Sequence, residues 1–355
     1  MFRRIDHVEF YVGNAFASAY FHIHALGFRP IAQAGLETGL RDRQSFAVEQ
    51  GEIKLVFTNA LDPDGPIAEH ARVHGDGIRD VALAVDDAGR AFDRCMEFGV
   101  EPVAEPHVAS DELGEVRLAS VRTFGDTIHS FVQRDRYDGS LLPGFRPWRT
   151  SRPSRGASLA AIDHIACCVE AGTLERWMAF YEGAFGFGEV HHEDVVTAHS
   201  AMNSRVIGSE NGAIKLPLME PAPGQSKSQI EEYLDYHHGP GAQHLALLSS
   251  DIASTVKALR DGGVEFLETP GEYYDGLSSR VGDIDEEVSM LRELNVLVDR
   301  DRWGYLLQVF TTPVTGRPTG FLEVVQRKGA RGFGGGNVRA LFEAVERAQA
   351  ARGNL

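Results

Sequence analysis

The chain has 355 residues, 43% of them hydrophobic and 24% charged. That is an ordinary globular composition and, at ~100 to 200 residues per domain, enough chain for two domains. A net charge of -16, from 51 acidic against 35 basic residues, with no basic stripe, argues against a nucleic-acid partner. No apolar run approaches the ~18 residues that cross a bilayer, and the opening MFRRIDHVEFYV is broken by charges before a signal-peptide core forms. With only Cys95, Cys167 and Cys168, a disulfide framework is not supported, and the expectation is a cytoplasmic protein with no membrane contact.

In chain order, the first organising signal is a repeat. Ile5-Asp6-His7-Val8 near the start matches Ile162-Asp163-His164-Ile165 after an Arg/Ser/Pro-rich stretch. The second match is longer: HGDGIRDVALAVDDAGRAFDRCMEFGVEPVAEP (74 to 106) lines up without a gap with HGPGAQHLALLSSDIASTVKALRDGGVEFLETP (238 to 270). Both segments read as strand, helix, strand. Alternation in Val81-Leu83-Val85 and Leu245-Leu247 suits half-buried strands. Apolar residues at helical spacing follow (Ala88, Ala91, Phe92, Cys95; Ile252, Val256, Leu259), ended by Gly99 and by Gly262 or Gly263. A third echo pairs HSFVQRD (129 to 135) with FLEVVQRK (321 to 328). The expected organisation is α+β, with two related domains at 1 to 147 and 159 to 355 joined by a linker at 148 to 158.

The repeat also raises a chemical question. The second half places His164, His244 and Glu323 where the first half places His7, Asp80 and Ser130. Two imidazoles and one carboxylate on one face of a metal leave three positions open, which suits iron(II) binding a chelating substrate and dioxygen together. The spacings of 80 and 79 residues mean that only the fold can bring the three together. Isolated histidines are commonly capped or solvated. These two sit at matching positions of repeated strands among apolar neighbours, as inward-facing ligands would. His191-His192 and His237-His238 lack that context and read as surface or loop residues.

KSQIEEYL (227 to 234), GPGAQHLAL (239 to 247), VEFLETPGEYYDGL (264 to 277), LRELNVLVDRDRWGYLLQVFT (291 to 311), FLEVVQRKGARGFGGGN (321 to 337) and the terminal ALFEAVERAQAARGNL resemble the 4-hydroxyphenylpyruvate dioxygenase family, which includes 4-hydroxymandelate synthase. The resemblance covers nearly the whole chain. It implies the vicinal oxygen chelate fold, with paired βαβββ modules, open barrel-like sheets and a C-terminal helix (337 to about 350) that follows a Gly-rich hinge, expected as a lid, with a helix that only packs as the competing explanation. It further implies iron(II) held by His164, His244 and Glu323, dioxygen as co-substrate, a small aryl 2-oxo acid as substrate, and a homodimer or larger homo-oligomer. Ser204, Gln229, Gln243 and Gln308 fall on the family's polar pocket positions. Phe310, Phe321 and Phe333 fall on its aromatic ones, where plain core packing is the competing explanation.

Two positions depart from the typical dioxygenase pattern: Met219 stands where Pro-Leu-Asn or Pro-Ile-Asn ends in Asn, and Val338 where GFGxGNF ends in Phe. Synthases tend to carry aliphatic residues there. Met219 could equally be an adaptable core filler. Val338 could open an apolar helix stripe with Leu341, Phe342 and Val345, capped by Asn337. In the family's chemistry the 2-oxo acid chelates iron and is decarboxylated. Oxidation of the ring then gives homogentisate, and oxidation of the benzylic carbon gives 4-hydroxymandelate. The altered pocket positions favour 4-hydroxymandelate as the expected product, with homogentisate as the alternative. An extradiol ring-cleaving dioxygenase and a non-catalytic binding module of the same fold are the competing classes.

Overall fold

A computed structural model describes residues 1 to 148 and 158 to 354. The first half runs β1 (Phe2–Tyr11), α1 (Ala15–His24), β2 (Arg29–Ala34), β3 (Arg43–Gln50), β4 (Ile53–Ala60), α2 (Pro66–His74), β5 (Gly77–Val85), α3 (Ala88–Glu97), β6 (Pro102–Asp111), β7 (Gly114–Arg122), β8 (Ile128–Tyr137) and a short β9 (Arg146–Pro147). The second begins with β10 (Leu159–Cys168), α4 (Leu174–Phe180), β11 (Gly188–Val196), β12 (Ala201–Gly208), β13 (Lys215–Ala222), α5 (Gln229–His237), β14 (Gly241–Ser249) and α6 (Ile252–Asp261). It continues through α7 (Glu272–Asp275), α8 (Leu277–Val281), α9 (Val288–Glu293), β15 (Leu297–Asp301), β16 (Gly304–Phe310), β17 (Phe321–Lys328) and α10 (Gly335–Ala351).

The repeat is reproduced in the strand order of the two sheets, β9 apart. One sheet has the order β6-β7-β8-β5-β1-β4-β3-β2-β9 and the other β11-β12-β13-β10-β14-β17-β16-β15. Read from its far edge, the second repeats the first with β10 in the place of β1 and β14 in that of β5. Each sheet joins two βαβββ modules, and its centre is an antiparallel pair, β1 with β5 or β10 with β14, flanked by parallel partners. The halves share apolar packing: Phe2 sits 5.3 Å from Phe185 and 5.4 Å from Phe187, ring centre to ring centre. Among the described residues no helix is long and apolar enough to cross a membrane.

The expected helix ends hold. Gly99 and Gly263 follow α3 and α6 in the left-handed region, with φ of +70° and +88°, a conformation glycine adopts without steric cost. Two expectations need correction. Residues 264 to 270 form no strand in the second half, whereas 102 to 111 do. Phe266 makes only an isolated bridge to Thr311, Pro270 offers no N–H, and the chain detours through α7 to α9 before β15 takes the edge position of β6. Helix α10 starts at Gly335 with Gly334 as cap, so Asn337 lies inside its first turn. The expected linker falls largely on residues 149 to 157, outside the described residues. Its first residue, Trp148, packs 4.8 Å from Phe46.

Candidate metal centre and pocket

Each donor is placed by one of three adjacent strands. His164 lies on β10, His244 on β14 and Glu323 on β17, and the β14–β17 register puts Phe321 beside His244 and Glu323 beside Ala246. Strand alternation turns all three side chains to the concave face, where they are buried. Among the described residues they form the one group of three His, Cys, Asp or Glu donors that could hold a metal ion, with donor atoms within 4.8 Å of one another. Glu323 Oε2 is 3.2 Å from His164 Nε2 and 3.5 Å from His244 Nε2. Ligands bound at about 2.1 Å and at right angles would stand roughly 3 Å apart, close to both distances from Glu323.

The ring nitrogens facing away from the donors have partners. His164 Nδ1 is 2.8 Å from Asp163 Oδ2, which fits donation to the carboxylate and leaves Nε2 free as a ligand. Asp163 in turn accepts from Arg327 Nε at 2.7 Å and Nη2 at 2.8 Å. His244 Nδ1 is 3.3 Å from Gln243 Oε1. Gln308 Nε2 donates to Glu323 Oε1 at 2.8 Å and to the Phe333 carbonyl at 3.2 Å, while its Oε1 accepts from Asn337 at 2.8 Å. Asn337 Oδ1 accepts from the Tyr273 hydroxyl at 2.7 Å. Gln308 therefore orients the carboxylate and ties it to the start of α10.

The electrostatics suit a cation. Burial alone would raise the Glu323 pKa, but His164 and His244 outweigh it and bring the carboxyl down to about 2. Burial would depress His164, yet Glu323 and Asp163 together lift it to about 9. His244 goes the other way: burial lowers its pKa, Glu323 offsets this only in part, and His164 adds repulsion. The difference is the second anion, which only His164 has.

The first half repeats the frame, with His7, Asp80 and Ser130 where the second has His164, His244 and Glu323. His7 Nδ1 is 2.7 Å from Asp6, and Arg134 Nε donates to Asp6 at 2.8 Å, repeating His164, Asp163 and Arg327. The carboxylate of Asp80 is instead occupied by the Ser130 backbone N–H at 2.9 Å and by its hydroxyl.

Of the expected pocket residues, Ser204, Met219, Gln229, Gln243, Gln308, Phe310, Phe333 and Val338 line one cavity with the three donors. Phe321 does not line it. Its ring stacks on His244 at 4.6 Å and faces a neighbouring cavity. Gln229 Oε1 is buried with no partner, an acceptor left for a ligand. Two expectations about histidines are corrected. His191 lines the cavity, 5.5 Å from the Phe333 ring, together with Glu193. His237 is buried and stacks on Tyr233 at 4.9 Å. The alternation of HHEDVV along β11, which puts His191 and Glu193 on one face, was the available signal. His192 is exposed as expected.

Gly334 and Gly335 explain the glycine run. Gly334 has φ +77°, and a Cβ there would meet Gln308 Oε1 at 2.4 Å; one on Gly335 would meet Glu193 Oε1 at 2.6 Å. The cavity has a volume of only ≈ 50 Å³ and is lined by Phe333, just before α10, and by Val338 and Leu341 of that helix.

The model of the Glyoxalase/Bleomycin resistance protein/Dioxygenase superfamily matches residues 4–119 and 161–309. A 4-hydroxyphenylpyruvate dioxygenase of Yarrowia lipolytica is 42% identical over 100% of this chain and 94% of its own length. The chain belongs to the 4-hydroxyphenylpyruvate dioxygenase family. A second member, from Danio rerio, is also 42% identical over 100% of this chain and 92% of its own. A solved structure of a triple mutant of 4-hydroxymandelate synthase from Streptomyces coelicolor superposes with a TM-score of 0.89 at 40% identity, covering 98% of this chain and 99% of that one. Membership makes the chain a dioxygenase-type enzyme of the vicinal oxygen chelate fold. These identities are too alike to separate the two activities.

Proposed function

We propose that the chain binds iron(II) through His164, His244 and Glu323 and uses dioxygen to decarboxylate and hydroxylate 4-hydroxyphenylpyruvate or a close aryl 2-oxo acid. The observation that carries this reading is the buried His-His-Glu triad opening into a pocket of polar and aromatic side chains. Bound there, iron(II) would serve as the template for the chelating 2-oxo acid and as the redox centre for dioxygen.

The chain's own residues do the rest. Glu323, ionised and held by Gln308, contributes the charge that a divalent cation requires. Asp163 and Gln243 hold the imidazoles in the tautomer that presents Nε2. Gln229 and Ser204 offer polar atoms for a substrate hydroxyl or carboxylate, and Phe310 and Phe333 offer rings for its aryl group. In a cavity of ≈ 50 Å³ a substrate of this size cannot enter unless Phe333 and α10 move aside, which supports a lid that then excludes water. In the same reading residues 159 to 355 form the catalytic domain, and 1 to 147 a related domain that has lost its site.

Ring hydroxylation to homogentisate is the outcome supported by the curated relatives, both named 4-hydroxyphenylpyruvate dioxygenases. One observation favours 4-hydroxymandelate instead: Met219 and Val338 pack in one cluster on the cavity wall, where an amide and a ring would restrain the aryl group differently. A displacement of ~1 Å can change a rate ~100-fold, enough to select the carbon attacked. Incubating the iron-loaded enzyme with 4-hydroxyphenylpyruvate and oxygen, then separating products, distinguishes the two. Absence of both, or unchanged iron content in His244→Ala, would overturn the reading.

A further inference from the structure

A second cavity of ≈ 240 Å³ lies between the halves, lined by β1, α1 and β4 on one side and β14 and β17 on the other. Its walls are mostly apolar, including Phe10, Val12, Phe57, Leu245 and Phe321, with Asp76, Ser18, Thr315 and Thr319 among the polar residues that also line it. Its outer end is solvent-facing at Ala17 and partly so at Val314; its inner end is buried against Leu245 and His244. Gln243 and His244 line this cavity and the catalytic pocket alike, whereas Phe321, stacked on His244, lines this cavity alone. His22 faces the interior as a neutral imidazole, since burial pushes its pKa down to about 4, so it adds no charge at neutral pH.

Once an aryl 2-oxo acid fills the catalytic pocket and α10 shuts over it, the substrate's entrance is blocked. Dioxygen must still arrive. An apolar cavity of this kind favours a small apolar gas over water; one of about 150 Å³ is known to stay dry and take up xenon or benzene. We infer that the inter-half cavity is the route by which dioxygen reaches the His164–His244–Glu323 centre, with Phe321 as its inner gate. The inference rests on the oxygenase reading above.

The test has two arms. Crystals pressurised with xenon, the probe for an apolar gas site, should show xenon between Phe57 and Leu245. Two mouth variants, Ala17→Trp and Val314→Trp, lie outside the catalytic machinery. Each should raise the KM for dioxygen roughly tenfold, the effect of about 1.4 kcal/mol on entry. The KM for the 2-oxo acid, iron content and kcat at saturating oxygen should stay as in the wild type. Absence of xenon from the cavity, or an unchanged oxygen KM in both folded variants, overturns the route. Failure of the wild type to turn over any aryl 2-oxo acid would strike the oxygenase reading instead, and xenon occupancy alone would then decide whether the cavity takes up gas.

Discussion

Replacing Asp163 by asparagine separates the metal site from its support at one atom. The carboxylate is 3% exposed and meets His164 Nδ1 at 2.8 Å, Arg327 Nε at 2.7 Å and Lys215 Nζ at 3.6 Å. The neutral amide would keep the shape but leave Arg327, 15% exposed, with no anion. Breaking a buried pair in this way costs ~3 to 5 kcal/mol. Arg327 still donates to the Gly332 carbonyl at 2.7 Å and to that of Ala330 at 3.3 Å, which places the expected loss near ~3 kcal/mol, a fall in Tm of roughly 4 °C for a chain of this length unfolding as one unit. His164 also loses the partner that fixes its tautomer, so iron(II) affinity should fall ~10- to 100-fold. The internal control is Asp6→Asn, because Asp6 holds His7 and Arg134 in the same way without a donor set beside them. It should destabilise comparably and leave iron affinity untouched. Anaerobic competition titration with a chromophoric chelator, alongside calorimetry, measures both. Equal iron affinities for wild type and Asp163→Asn would refute the supporting role; an equal loss in Asp6→Asn would show it to be general destabilisation.

If the pocket wall selects the carbon attacked, Met219→Asn with Val338→Phe should raise the homogentisate fraction, and an unchanged product ratio would remove that argument. Asn337→Ala strips Gln308 Oε1 of its donor and leaves the Tyr273 hydroxyl only the Val298 carbonyl at 2.9 Å as acceptor. The expected cost is ~1 to 3 kcal/mol, with a larger loss in kcat than in iron binding; normal kcat would show that Glu323 is oriented without this chain of bonds. His129 is buried between the Val81 carbonyl at 2.8 Å and the Tyr181 hydroxyl at 2.9 Å, and burial lowers its pKa from 6.5 to about 4. The unfolded chain therefore takes up a proton below pH 6.5 that the folded one refuses until about pH 4. The stability this residue contributes is whole above 6.5 and is lost as pH falls, by up to ~3 kcal/mol. Urea midpoints of His129→Gln should fall less steeply than wild type across that window, and parallel curves would count against the assignment.

The duplicated architecture and the three donors were legible without coordinates because each rests on a strand pattern that occurs twice. An inward-facing position of β1 or β5 is recognisable by its alternation, and its counterpart in β10 or β14 inherits the same face. The contrast of Ser130 with Glu323 then marks the half that keeps its carboxylate. Helix ends at Gly99 and Gly263 were legible for a local reason, since the left-handed backbone there favours glycine. The missing strand at 264 to 270 was not, because a β-strand is completed by its partner, and the edge beside β16 goes to β15 from beyond α9.

The side-chain assignments divide along the same line. Residue type and order determined that two imidazoles and a carboxylate belong to one site. Only the tertiary structure decided that Gln308 spends its amide on Glu323, that Phe321 turns to the neighbouring cavity, and that His191 joins the pocket while His237 is buried. Each of these depends on the packing of side chains and cavities between strands far apart in sequence, and periodicity within one strand carries no record of it.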